Sequence, residues 1–189
     1  MDKTILVLIN GRAGVGKDTF VTYCKTYAKT RSCSVYNFHR SDGPKKVLKL
    51  LGWDGTKDLE SRGLLKHMVD FMEGKGLLNK ALDQVLEHIN QEPNQGIVFY
   101  HVRDPKVMYA LMDGYINKGT IRPISLLVKR DLPQPEEPGE WWDIEDAEYN
   151  MTLQLPEDDL ERTKEAAIAF VDFLLDSNFK VMKQDKGNE

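Results

Sequence analysis

Nine residues near the start of the chain carry its densest chemistry: Gly11-Arg12-Ala13-Gly14-Val15-Gly16-Lys17-Asp18-Thr19. Glycine at positions 11, 14 and 16 opens backbone angles that other residues avoid, so the chain can fold round an anion and aim successive N–H groups at it. A helix starting near Lys17 adds its positive end, and Lys17 itself can reach β- and γ-phosphates as a point charge. The run matches the Walker A pattern through Lys17, which predicts that all nine residues line a nucleotide-phosphate site. Asp18 then stands where Ser or Thr is usual, with Thr19 one residue further on. A carboxylate there can hold Mg²⁺ directly or through water, and the Thr19 hydroxyl can serve a phosphate. Both are therefore candidate metal residues, and ATP and Mg²⁺ the expected cofactors.

Such a loop needs a strand before it and a helix after it. Thr4 to Ile9 is apolar enough for a central strand covered on both faces, and a helix is expected from about Lys17 to Lys29. Further strands are expected at Ser34–Phe38, Gly96–Val102, Ile124–Val128 and Tyr149–Leu155. Three helical pieces fall between Ser41 and Asn90, the clearest carrying Leu78, Leu82, Val85, Leu86 and Ile89. Another helix runs from about Pro105 to Lys118. A last one opens at Pro156 and presents Leu160, Ala167, Phe170, Val171, Leu174 and Leu175 inward. Short apolar runs alternating with helical period predict an α/β fold with a mostly parallel sheet. Arg130–Glu148 breaks the pattern: it is rich in Pro and acid, holds Trp141-Trp142, has no clear secondary structure, and reads as a lid.

The whole chain sets bounds. It has 189 residues, 41% hydrophobic and 30% charged, which suits a single domain over 1–189. A net charge of −4 argues against a nucleic-acid partner, since affinity for a phosphate backbone needs clustered cations. Two cysteines, no leader-like start and no long apolar run point to a cytoplasmic protein with no membrane partner, a monomer or a homodimer.

Gly16-Lys17-Asp18-Thr19 resembles the loop of phage-type deoxynucleoside monophosphate kinases, within the adenylate-kinase-like P-loop group. Asp42-Gly-Pro-Lys45 resembles that family's Asp-x-x-Lys after the second strand, and Val102-Arg103 its Val-Arg after the third. Glu148-Tyr-Asn-Met-Thr-Leu is similar to its last strand. The resemblance spans nearly the whole chain as a layout. It implies a three-layer P-loop NTPase fold with a five-stranded, mostly parallel sheet and helices on both faces. It also implies an acceptor-binding helical segment, here 41–90, and a lid, here 130–148. Carried over by position, Asp42, Lys45, Arg62 and Arg103 become acceptor-side candidates. His101 stands where the family's strand carries Asp, and reads as a packing residue. The lid holds Lys129 and Arg130 at its entrance and no Arg inside.

Transfer of the ATP γ-phosphoryl group to a nucleoside or deoxynucleoside monophosphate is the expectation, with Lys17, Arg103 and Arg130 stabilising charge and small nucleotides as the only partners. A phosphate acceptor needs no strong base, and none is evident. Two other readings stand beside it. One is a kinase for a hydroxyl-bearing metabolite, in which Asp42 or Asp104 would be the base. The other is a nucleotide sensor without catalysis. Trp141-Trp142 either plugs the lid onto the core or stacks on a base.

Overall fold

The computed structural model describes residues 4–56, 58–119, 121–132, 142–157 and 159–176, the side chains of Trp142 and Asp143 excepted. Five strands, β1 (Thr4–Asn10), β2 (Ser34–His39), β3 (Gly96–His101), β4 (Arg122–Lys129) and β5 (Met151–Gln154), form one sheet in the order β2-β3-β1-β4-β5. Every pairing is parallel. Parallel neighbours require crossovers, and helices supply them. These are α1 (Lys17–Ala28), α2 (Asp42–Leu50), α3 (Leu59–Gly74), α4 (Leu77–Gln91), α5 (Pro105–Lys118) and the short α6 (Trp142–Asp146), with α7 (Leu160–Asp176) after the last strand.

Side chains alternate across the sheet, so each face builds its own core. Ile5, Val7 and Ile9 of β1 pack with Ile97 and Phe99 of β3 against Phe20 and Cys24 of α1 and Phe170 and Val171 of α7. Phe20, Phe99 and Phe170 meet at ring separations of 5.5–6.4 Å. On the other face Leu6 and Leu8 pack with Val98 and Tyr100 against Leu82, Leu86 and Ile89 of α4 and Met108 and Leu111 of α5. The central strand is buried at every residue, as an apolar run between two helical layers must be. Both cysteines are buried free thiols.

Four sequence expectations shift. The last helix begins at Leu160 rather than Pro156, because Asp159 accepts a hydrogen bond from Arg162 N (2.9 Å) and starts the helix there. Leu160 consequently faces solvent and Thr163 is buried in its stead. The fifth strand is only the four residues of β5. Of the three pieces in 41–90, α4 buries Leu78, Leu82, Leu86 and Ile89, whereas α3 has no buried residue at all, although its period is as helical. Finally, the lid segment carries α6, whose Ile144 is buried, while Lys129 pairs with Glu145 at 3.2 Å. Residues 133–141, with Trp141, lie outside the described residues, as does the side chain of Trp142, so the reading of the tryptophan pair does too. Among the described residues no helix is long and apolar enough to cross a membrane.

Candidate nucleotide-phosphate site

Ligands of open α/β sheets bind beyond the C-terminal ends of the strands. At that edge β1 ends in Asn10, a buried amide at the close of an apolar run. Its Oδ1 accepts from Gly11 N (2.8 Å), and its Nδ2 donates to Arg103 O (3.1 Å) and to the Tyr149 hydroxyl (3.0 Å). One side chain thus joins the start of the loop, the end of β3 and the segment before β5.

The loop is fixed by its glycines. Gly11 has φ +139°, and a Cβ there would lie 2.2 Å from Val128 O, inside the backbone of β4. Gly14 and Gly16 also have positive φ, +84° and +89°. Gly16 precedes α1, so the helix's unpaired N–H groups open onto the loop. Val15 is buried under the loop, while Arg12 is half-buried and Ala13, Gly14, Asp18 and Thr19 are exposed.

Lys17 folds back over this loop and donates to Gly11 O (2.5 Å) and Arg12 O (2.8 Å). Burial and then the nearby Arg103 guanidinium lower its pKa to about 8, against a smaller raising influence of Asp18. An anion held by the loop would favour the charged ammonium again. Arg103 therefore stands within electrostatic reach of Lys17. Arg130 approaches from the end of β4: its Nη2 would be 3.0 Å from a Cβ on Gly16, and its Nε is buried with no hydrogen-bond partner among the described residues. Three cations thus meet at the loop.

The other acceptor-side candidates are less closely tied to it. Asp42 opens α2, and its Oδ2 accepts from His39 N (2.8 Å), which fixes the turn after β2. Lys45 is half-buried on α2, and Arg62 is exposed in the first turn of α3. Asp104 caps α5 by accepting from Lys106 N (2.8 Å). The two carboxylates read as candidate bases each accept one backbone N–H through one oxygen.

His101 does more than pack. Its ring stacks on His39 with centroids 3.9 Å apart, and its Nε2 lies 2.7 Å from Asn37 Oδ1 and 3.8 Å from Asp18 Oδ1. His39 Nε2 is 3.4 Å from the same Asp18 oxygen. Burial, then His39, lowers the His101 pKa to about 3, so the ring is neutral. Sequence reasoning missed His39 and Asn37. The available signal was parity: Asn37, His39 and His101 project from the same face of neighbouring strands. Of the two predicted metal residues, Asp18 belongs to this cluster, while Thr19 is exposed on the first turn of α1.

No family model and no curated protein matches the chain. Solved structures do. A mutant form of the APS kinase of Mycobacterium tuberculosis superposes with a TM-score of 0.52 at 15% identity, covering 90% of this chain and 96% of its own. A protein of Chloroflexus aurantiacus described as a candidate kinase gives a TM-score of 0.53 at 13% identity, covering 95% and 100%. The chain shares the three-layer α/β fold of these two structures, with a five-stranded parallel sheet and helices on both faces. The resemblance to the phage-type monophosphate kinases in particular finds no counterpart among these neighbours.

Proposed function

We propose that the chain is an ATP-dependent kinase whose acceptor is a nucleoside or deoxynucleoside monophosphate. The observation that carries the reading is the convergence of Lys17, Arg103 and Arg130 on a glycine loop that opens at a helix N-terminus. In the reaction the bond from the γ-phosphorus to the bridging oxygen of ATP breaks. An oxygen of the acceptor phosphate bonds to that phosphorus, and ADP leaves. Charge spreads over the transferring oxygens, and fixed cations are what such a site supplies. Lys17 would hold the β- and γ-phosphates, Arg103 the acceptor or transferring group, and Arg130 the loop itself.

A phosphate acceptor is favoured over a hydroxyl because the latter profits from a free carboxylate. Asp42 and Asp104 are engaged in turn and cap. The test is ADP release across a panel of monophosphates and hydroxylated metabolites, with Lys17→Ala as control. Turnover with a monophosphate, lost in Lys17→Ala and kept in Asp104→Asn, is the expected result. Turnover with alcohols alone would select the other acceptor class, and tight ATP binding without any turnover would make the chain a sensor.

A further inference from the structure

The cations of the site are accounted for by phosphate; its two stacked histidines are not. The fold's kinases pair ATP with Mg²⁺, an ion that asks for oxygen donors in octahedral array. The donors gathered round Asp18 are of another kind. His39 and His101 are register partners on β2 and β3, so their side chains leave the same face of the sheet side by side. That face is the one covered by α1, and the second residue of α1 is Asp18. Ligand atoms from the three residues all lie within 4.8 Å of one another. Asn37, two residues before His39 and so on the same face, brings its Oδ1 to 2.7 Å from His101 Nε2.

The geometry points to a binding site for a borderline divalent ion of the Zn²⁺ or Co²⁺ class, built from Asp18, His39 and His101 with Asn37 beside them. Two imidazoles and one carboxylate are a donor set for such ions, whereas Mg²⁺ and Ca²⁺ select oxygen. The spacing agrees. Bonds of about 2.0–2.1 Å in a tetrahedron put neighbouring donors roughly 3.3 Å apart. The Asp18 oxygen is 3.4 Å from His39 Nε2 and 3.8 Å from His101 Nε2, and the two stacked rings, 20° apart in plane, must splay for both nitrogen lone pairs to meet one ion. To ligate through Nε2, His101 must carry its proton on Nδ1. Asn37 now stands on that same Nε2 of His101, so the ion would displace this contact and the amide would turn aside. Three protein donors leave a fourth position for a phosphate oxygen or water to complete the shell. The site does not depend on phosphoryl transfer: it would exist equally in a sensor.

The test uses the full chain, stripped with chelator and free of nucleotide. Titration with Co²⁺ followed by visible absorption, and with Zn²⁺ by calorimetry, is expected to give one equivalent bound and the intense bands of four-coordinate Co²⁺. A hundredfold excess of Mg²⁺ should leave both signals in place. The chain has four histidines, and Zn²⁺ should move the ring-nitrogen resonances of His39 and His101 while leaving His67 and His88 unchanged. His39→Gln, a change at a partly exposed ring, should weaken binding roughly tenfold or more with the circular dichroism spectrum intact. No saturable binding, displacement by Mg²⁺ at equal concentration, shifts at His88 beside Glu92 instead, or unaltered affinity in His39→Gln would each overturn the assignment. Loss of kinase turnover, by contrast, bears only on the proposed function.

Discussion

Gly11 and Lys17 answer to opposite demands, and mutation separates them. Any side chain at Gly11 meets the backbone of β4 and a φ of +139°, so Gly11→Ala should lower stability by a few kcal/mol, read as a drop in melting temperature. Lys17 is half-buried and, among the described residues, has no acid partner in hydrogen-bond contact, so its removal relieves a burial cost. Lys17→Ala should leave the melting temperature unchanged or raised, yet weaken ATP binding by about 10–100-fold, the worth of a charge-assisted contact. A matched fall in stability and binding for Lys17→Ala would show that the lysine is structural. The cysteines make a second residue-scale case. Burial pushes the Cys33 thiol up to about 11 and that of Cys24 higher still. The thiolate is the reactive form, so at pH 8 almost none is present in the folded chain. A thiol-reactive dye should label neither residue in native buffer and both at once in guanidinium, with native labelling rising only as pH passes about 11. Prompt native labelling would mean that α1 and β2 open locally.

Helices α3 and α4 show what could be read in the sequence and what could not. Both have a clear helical period, and both are helices within 41–90. The period says which side chains share a face; it does not say whether another element covers that face. The sheet covers α4, whereas α3 lies outside α2 and α4 and leaves Leu59, Leu64 and Phe71 exposed. Leu86→Ala in α4 should therefore cost about 2–5 kcal/mol, against a change within about 0.5 kcal/mol for Phe71→Ser in α3. Equal losses in chemical denaturation would mean that the face of α3 is covered in solution. The phosphate loop was legible for a different reason: its glycines, lysine and helix are consecutive, so spacing alone fixes the geometry. The Asp18–His39–His101 cluster was not, because it joins three elements whose register exists only once β2 and β3 pair. Caps fall between these cases. Pro156 marked the last helix four residues early because a local sequence offers several acids and only packing selects Asp159. At α5 the cap also decides a chemical question. Asp104→Asn keeps an oxygen acceptor for Lys106 N and should preserve both stability and turnover, whereas Asp104→Ala should cost about 1 kcal/mol of stability. A large loss of turnover in the stably folded Asn variant would restore Asp104 as a base.

Across the whole molecule, rigidity and exposure are unequally distributed, and the division follows the strand order. The central strand β1 delivers the loop, and α1 and α7 cover one face of the sheet through a shared aromatic core. Tyr27 and Arg31 of that layer reach Asp172, and Arg31 also reaches Asp176 at 2.5 Å, so the two helices are tied at the edge as well as in the core. The phosphate loop is thus built on the best-buried elements. The acceptor-side candidates Asp42, Lys45 and Arg62 sit on α2 and α3, next to the edge strand β2, where little is buried. A ligand that engages only the loop leaves that layer as it is, and one that spans both halves must order it. Two nucleosides joined by a polyphosphate chain provide such a ligand. If the chain transfers phosphoryl groups between nucleotides, the joined compound should bind at least about tenfold more tightly than ATP, because its second half binds at high effective concentration. Hydrogen exchange should then slow in α2 and α3 well beyond the slowing that ATP alone produces, while the already protected α1 and α7 change little. Equal affinity for the two ligands, with protection confined to the loop and α1, would locate all recognition at Gly11–Thr19 and favour a nucleotide sensor over a kinase.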